Sequence, residues 1–399
     1  MSTPPESTTT PSVRLGSIDA YRGLAMMLMM GEVLEFREVS RHLPDNPVWT
    51  FLSHHQSHVE WAGCSIHDMI QPSFSFLVGV ALPFSLASRL ARGSSKTQTL
   101  AHALWRSLIL VFLGVFLRSR HASRTYFTFE DTLSQIGLGY PILFLLALYS
   151  VRVQLSALVV ILVGYWCAFA LYPAPGADFD FAAVGVSADW AHHPTGFAAH
   201  WDKNSNLAWA FDVWFLNLFP RENVFKYNGG GYSTLSFIPT LGTMIMGLLA
   251  GGVLKRPGSA WSRIGLLVVA GGLAIVTGWG LGELGICPVV KRIWTPSWTL
   301  YSGGICLLAL AVFYLILDVA GVRFWAFPLR VVGMNSIAAY CMAGLFDGFI
   351  GQNLTIHLGH APFRSLGGPY EPLLHGAGVL LVLWLILFWM YRRKIFLRV

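Results

Sequence analysis

Charge is what this 399-residue sequence has least of. Only 12% of its residues are Asp, Glu, Lys or Arg, against 54% hydrophobic ones, and the mean hydropathy is +0.56. That leaves too little polar surface to cover a 44.0 kDa soluble particle, so the class is membrane protein. Cysteine is scarce as well: five residues, Cys64, Cys167, Cys287, Cys306 and Cys341, with no C-x-x-C spacing. A zinc ribbon or a disulfide framework is thereby disfavoured, with a Cys64–Cys287 bridge left open. No basic stripe and no nucleic-acid motif accompany the net charge of +7, because the basic residues are scattered between apolar runs. No nucleic-acid partner is expected. No repeat of fixed period is visible, which weighs against an inverted-repeat transporter. The first apolar run lacks a small-residue cleavage site, so it is expected to be a retained helix rather than a signal peptide.

What is there in quantity is apolar sequence in lengths that suit a bilayer. A crossing helix needs about 20 mainly apolar residues. About ten runs qualify, near 20–36, 69–88, 104–118, 134–150, 154–172, 234–254, 264–284, 299–317, 328–350 and 373–391. The expected fold class is an all-α polytopic membrane protein of about ten transmembrane helices in one bundle. Residues 1–16, rich in Ser, Thr and Pro, are expected to be a disordered tail, and 17–399 a single transmembrane domain. A cytoplasmic N-terminus puts more of the 27 Lys and Arg residues on the inner side, so the positive-inside rule favours both termini in the cytoplasm. The longest loop, about 173–233, then faces outward, with 57–68 on the same side. Its Trp190, Trp201, Trp209 and Trp214 suit either the lipid interface or the flat face of a sugar ring.

Ionisable groups inside such runs are costly, about 2.5–3.5 kcal/mol each at the centre on insertion scales, so each needs a reason. Asp19 and Arg22, at i, i+3 on the first helix, suit a local ion pair or a contact with an anionic cofactor arriving from the cytoplasm. Glu32 lies deeper and must be protonated, paired or wet. Asn335 suits either glue between helices or ligand contact. His54, His55 and His58 read H-H-x-x-H, but the Glu of a zinc-protease helix is missing, and no metal is expected. His58 with Glu60, His67 and Asp68 suits acid–base chemistry better. A neutral imidazole can take a proton while a carboxylate on its other nitrogen fixes the tautomer, though spacing does not say which acid does so.

Several segments together resemble the heparan-α-glucosaminide N-acetyltransferase family and its bacterial relatives. SIDAYRGLAMMLM is similar to the family's opening S-L-D-x-F-R-G helix. HVEWAGCSIHDMIQPSFSFLVGVALPFSL resembles its block H-x-x-W-N-G-x-x-x-x-D-x-x-x-P-x-F-x-F-x-x-G. TLSQIGLGY is a faint match to L-Q-R-I, whereas STLSFIPTLGTMIMGLLAG, KRIWTPSWTLYSGG and FPLRVVGMNSIAAY are closer. The resemblance implies a membrane acyltransferase that moves an acetyl group from cytoplasmic acetyl-CoA to an amino sugar or glycan on the far side. His58 then maps onto the catalytic histidine, either as general base or as acetyl carrier; Asp68 and Glu60 join it as catalytic candidates from the residue pattern, Glu60 and His67 being this chain's own additions to the family block.

Under that reading Asp19, Arg22 and Asn335 lie toward the acetyl-CoA, and Trp61, Glu32, His67, Trp294 and Trp298 are candidates for the acceptor pocket. The lipid bilayer is the surrounding partner, a homodimer is compatible, and the bacterial inner membrane is the expected location. The chain also departs from the pattern: Gly31, Glu32 and Val33 stand where the family has an Asn, and Ala62 replaces the asparagine of W-N-G. Acceptor identity is therefore open. The alternative of another class is a transporter or ligand-binding protein that kept the cavity and lost catalysis.

Overall fold

Seven helical segments among the described residues, 15–397, are long and apolar enough to cross a membrane in the computed structural model: His67–Ala91, Lys96–Arg118, Val151–Leu171, Thr234–Lys255, Ala260–Glu283, Pro296–Val319 and Gly368–Arg392. The full order of α-helices is α1 (Gly16–Met30), α2 (Phe36–His42), α3 (Pro47–His55), α4 (Ile70–Ala91), α5 (Lys96–Arg118), α6 (Thr132–Ala147), α7 (Val151–Leu171), α8 (Leu207–Phe215), α9 (Phe237–Lys255), α10 (Ala260–Glu283), α11 (Pro296–Tyr314), α12 (Phe327–Gly333), α13 (Ser336–Leu345), α14 (Asp347–Leu358) and α15 (Glu371–Arg392). An isolated bridge between Ala62 and Val290 is the sole β pairing among the described residues. The chain is an all-α, polytopic integral membrane protein.

Three of the ten expected runs are shorter than a full crossing. The first stops at Met30 and continues as a 3-10 turn, Gly31–Leu34, before Glu35 turns left-handed at φ 50°. The fourth, α6, has 16 residues. The run near 328–350 is broken into α12 and α13 at Asn335, whose φ/ψ of −126°/39° lies outside the helical region. The expected tail, 1–16, falls almost wholly outside the described residues. At its end, Gly16 and Ser17 donate their backbone N–H groups to Asp318, at 2.9 and 3.1 Å, which satisfies two of the free donors at the start of α1.

Helix α9 is the bundle's axis: 72% of its most apolar stretch is buried, against 17% for α7 and α10, whose exposed Val159, Val160, Leu273 and Val276 suit lipid contact. Its closest partner is α4, and glycines let the two backbones touch. A Cβ on Gly79 would stand 2.0 Å from the Met244 carbonyl oxygen, and one on Gly247 1.9 Å from that of Phe76. Small residues at such a crossing replace the hydrophobic drive that lipid removes. Tyr21, Phe76, Leu77 and Leu310 fill the core where α1, α4 and α11 meet this pair.

The long segment between α7 and α9 is tied down by aromatic residues. Trp61 Nε1 donates to the Trp201 carbonyl at 3.1 Å, and Tyr165 hydroxyl donates to the Ile293 carbonyl at 3.0 Å. Gly63 N–H donates to the Val289 carbonyl at 2.9 Å beside the Ala62–Val290 bridge. These contacts fasten the segment before α4 to the segment before α11, and they fix where the site lies. All five cysteines are free thiols, so no Cys64–Cys287 bridge is made.

Candidate functional site

His58 sits in the irregular stretch between α3 and α4, and Asp68 in the 3-10 turn His67–Met69 that leads into α4. The turn folds the chain back so that His58 Nδ1 lies 2.8 Å from Asp68 Oδ1. Asp68 Oδ2 accepts from the Val59 N–H at 3.2 Å, the Ser65 N–H at 3.1 Å and the Ser65 hydroxyl at 2.9 Å. From the segment before α11, Lys291 brings Nζ to 3.3 Å from Asp68 Oδ1. Asp68 is 1% exposed and Lys291 5%.

This donor set suits an ionised carboxylate, since hydrogen bonds to a charged group contribute about 1.5–3 kcal/mol each and offset the cost of taking it from water. The carboxylate in turn draws the imidazole proton to Nδ1. Lys291 Nζ, 3.1 Å from that nitrogen, then has Asp68 as its acceptor. Nε2 is left as the nitrogen that can take up a proton. Burial lowers the His58 pKa below its ordinary 6.5; the Asp68 hydrogen bond opposes this and the Lys291 charge adds to it. His58 is therefore neutral at pH 7, the form a base needs. Burial also lowers the Lys291 pKa, against the pull of Asp68.

A cavity of about 200 Å³ at this cluster is bordered by His58, His67, Glu32, Arg118, Tyr232 and Lys291, and opens beside a second of about 560 Å³ that also reaches His58. These residues come from the C-terminal ends of α1 and α5 and the N-terminal approaches to α4, α9 and α11. A further cavity of about 370 Å³ is bordered by Arg22, Arg89, His102 and Arg106, from the first half of α1, the end of α4 and the first half of α5, so it lies toward the opposite end of the bundle. Thr132 and Tyr340 belong to the walls of both the 370 Å³ cavity and the 200 Å³ one. A groove of about 570 Å³ between 122–127 and 220–227 shares no residue with either.

The sequence-derived candidates divide along these walls. Asp68, not Glu60, reaches the His58 ring; Glu60 is exposed and borders none of these cavities. Glu32 and His67 form a pair, His67 Nε2 to Glu32 Oε1 at 3.2 Å, with the His67 ring centroid 4.5 Å from that of His58. Arg22 borders the 370 Å³ cavity, with Asp19 3.8 Å away on the same helix. Asn335 is fully buried, and its amide holds the C-terminal segment: it donates to the Ile395 carbonyl at 2.9 Å and accepts from the Leu397 N–H at 3.1 Å. Trp61, Trp294 and Trp298 are core residues, 0–1% exposed, and none borders these cavities; Trp294 Nε1 donates to the Thr243 hydroxyl at 3.1 Å. Among the described residues no group of three or more His, Cys, Asp or Glu is arranged to hold a metal.

Several lining residues escaped sequence reasoning. Lys291 stands within KRIWTPSW, where a charged pair at a helix approach reads as an ordinary interfacial anchor. Glu130 and Asp131 precede α6; Asp131 caps that helix by accepting from the Leu133 and Ser134 N–H groups, and Glu130 pairs with Arg118 at 4.0 Å. Burial pushes both carboxyls up while Arg118 pulls them down. Two adjacent acids just before an apolar run are the available signal.

Comparison with known proteins gives distant similarity. The chain is 26% identical to heparan-alpha-glucosaminide N-acetyltransferase of Homo sapiens over 381 residues, covering 84% of this chain and 53% of that protein. The Mus musculus protein of the same name is 24% identical over 374 residues, covering 84% and 54%. The chain thus spans about half the length of the curated relatives it matches. No family model matches it.

Proposed function

We propose that this chain is a transmembrane acetyltransferase that moves an acetyl group from cytoplasmic acetyl-CoA to an amino sugar or glycan acceptor on the outer side. One observation carries the reading: a cluster of the accessible His58 with the buried Asp68 and Lys291 borders the 200 Å³ cavity, the outer one in this reading, whose wall at Thr132 and Tyr340 is also the wall of the arginine-lined 370 Å³ cavity, the inner one. The distant relatives named above support the reaction class. In this reading α1, α6 and the α12–α13 pair complete ten crossings, both termini are cytoplasmic, and residues 17–399 work as one bundle in a bacterial inner membrane. The inner cavity's donor chemistry fits an anionic nucleotide, because Arg22, Arg89 and Arg106 can make charge-assisted contacts with phosphates.

The acetyl group would be delivered toward Thr132 and Tyr340 and the acceptor toward His58. Asp68 fixes the Nδ1–H tautomer, and Lys291 keeps Asp68 charged. His58 Nε2 then takes the proton from the attacking amine as nitrogen bonds to the thioester carbonyl, and returns it to the departing thiolate as the C–S bond breaks. The same Nε2 can instead accept the acetyl group and pass it on. Holding both partners at one wall supplies the proximity that either route requires. Purified protein incubated with radiolabelled acetyl-CoA and a panel of amino sugars tests this, with His58→Ala beside the wild type. Transfer that the substitution abolishes supports the enzyme, and a labelled protein trapped by acid quench marks the carrier route. Acceptor binding without turnover or acetyl-CoA affinity overturns it in favour of a non-catalytic binding protein.

A further inference from the structure

Helix α8 and the 3-10 turn that follows it, Leu216–Leu218, read LAWAFDVWFLNL, an apolar segment too short to cross a bilayer. Its two faces are sorted. Ala208, Asp212 and Leu216, spaced by four, are buried, whereas Trp214 and Leu218 on the opposite face are 61% and 62% exposed. Leu216 packs with Val115 of α5, next to the exposed Phe116, so the segment lies against the end of α5 that carries Arg118. Its open apolar face therefore continues the lipid-facing side of a crossing helix, the position of a helix lying in the membrane interface.

The groove of about 570 Å³ is built at this level, from two stretches of chain. One, 122–127, begins just after α5 ends at Arg118; the other, 220–227, begins just after Leu218. Its charge is chiefly of one sign, with Arg124, Arg221 and Lys226 against Glu222. Arg221 is fixed in the wall: its guanidinium lies 4.9 Å from the Tyr126 ring centre and 5.3 Å from that of Phe225, and it donates to the Phe127 carbonyl at 2.6 Å. Arg124 reaches the Arg221 carbonyl with one nitrogen, at 3.4 Å, and Lys226 is exposed, so both keep donors to offer a ligand. Glu222 is engaged by the Ser123 hydroxyl at 2.8 Å.

We propose that this groove binds the phosphate of an anionic phospholipid from the leaflet on the His58 side. Arg124 and Lys226 hold the phosphate, and Trp214 and Leu218 lie beside the acyl chains. A soluble phosphate shares the headgroup chemistry, but it would leave the neighbouring apolar face without a partner. The site does not depend on acetyl transfer.

The test titrates the delipidated full chain in detergent with phosphatidylglycerol or phosphatidylcholine, counts bound lipid by native mass spectrometry, and uses inorganic phosphate as competitor. Phosphatidylglycerol should bind roughly tenfold or more tighter than phosphatidylcholine and resist millimolar phosphate; Arg124→Gln/Lys226→Gln should raise its Kd about 30-fold, the loss of two charges near a membrane surface. Arg92→Gln/Lys96→Gln, equally exposed at the other end of α5, should leave that Kd unchanged. Equal affinity for the two lipids, an unchanged Kd in the groove variant, or an equal loss in the Arg92/Lys96 variant overturns the site. Displacement by inorganic phosphate overturns the lipid assignment in favour of a soluble anion. Melting is measured alongside, and Lys226→Gln alone, expected to raise Kd about 5-fold, keeps the test available if the double variant does not fold.

Discussion

Replacing Asp68 by Asn separates what that carboxylate does for the fold from what it does for the chemistry. The single Asn oxygen can still accept from Val59 and Ser65, where Oδ2 accepts at 2.9–3.2 Å. The amide NH2 then stands where Oδ1 was, 2.8 Å from His58 Nδ1, and offers a donor to a nitrogen that had been one. The ring must place its proton on Nε2, so the base is lost at the reacting position; acid–base groups contribute about 10²–10⁴-fold, and kcat should fall by that much. Lys291 is left as an uncompensated buried cation, which costs about 3–5 kcal/mol. A second substitution, Lys291→Met, removes that cation, so Asp68→Asn/Lys291→Met should regain melting temperature in detergent without regaining turnover. Thermal unfolding followed by tryptophan fluorescence and acetyl transfer from labelled acetyl-CoA give the two readouts. A double variant that recovers kcat, or Asp68→Asn with wild-type kcat, refutes the tautomer argument.

Other consequences can be checked on the same preparations. The rate should rise with pH through a midpoint below 6.5, because the lowered His58 pKa makes the neutral base available earlier; stability moves the same way, falling as pH drops below 6.5. An alkaline limb should begin below 10.5, where Lys291 loses its proton and Asp68 its counter-charge. Arg89→Gln should raise KM for acetyl-CoA roughly 10–100-fold, the loss of one charged hydrogen bond, and should weaken the salt dependence of that KM. Trp61→Phe should lower the melting temperature through the lost bond to Trp201, about 0.5–1.5 kcal/mol, with acceptor KM unchanged. Gly247→Val should fail to assemble, since a Cβ 1.9 Å from the Phe76 carbonyl oxygen prises α4 from α9; a protein that still melts like wild type contradicts the packing account.

Length and hydropathy made the fold readable where a helix runs unbroken. The segments around α4, α5, α7, α9, α10, α11 and α15 announce themselves because each is a long apolar run bounded by polar residues. The run near 328–350 does not reveal its break at Asn335, because a neutral amide inside an apolar stretch looks the same whether it glues two helices or ends one. Its two bonds to Ile395 and Leu397 depend on a segment 60 residues further on. The His58–Asp68 contact was half visible: the residue types suit an acid–base pair, but a 10-residue spacing through a turn has no periodicity to favour Asp68 over Glu60. Lys291 lies 233 residues from His58 and enters only through the Ala62–Val290 bridge and its neighbours. The tryptophans carry little sequence signal of their own, since a large amphipathic ring suits an interface, a sugar or a core.

The two cavities also differ in the sign of charge they offer, and that difference bears on how the proposed reaction would keep its substrates apart. The inner wall carries Arg22, Arg89 and Arg106 and no carboxylate. The outer wall carries Glu32, Glu130 and Asp131 against Arg118 and Lys291, with Asp68 directly behind His58. Charge lining a cleft with low-dielectric walls concentrates the opposite ion within it. In the proposed reaction an anionic nucleotide would therefore be drawn to one end of the bundle and a cationic acceptor to the other. Because Lys291 pairs with Asp68 rather than facing the acceptor, it keeps the base in its working tautomer without cancelling the outer attraction. For an amino-sugar acceptor, the acid surplus at Glu32 would favour the ammonium on arrival and would no longer hold the product once the amine is acylated and neutral.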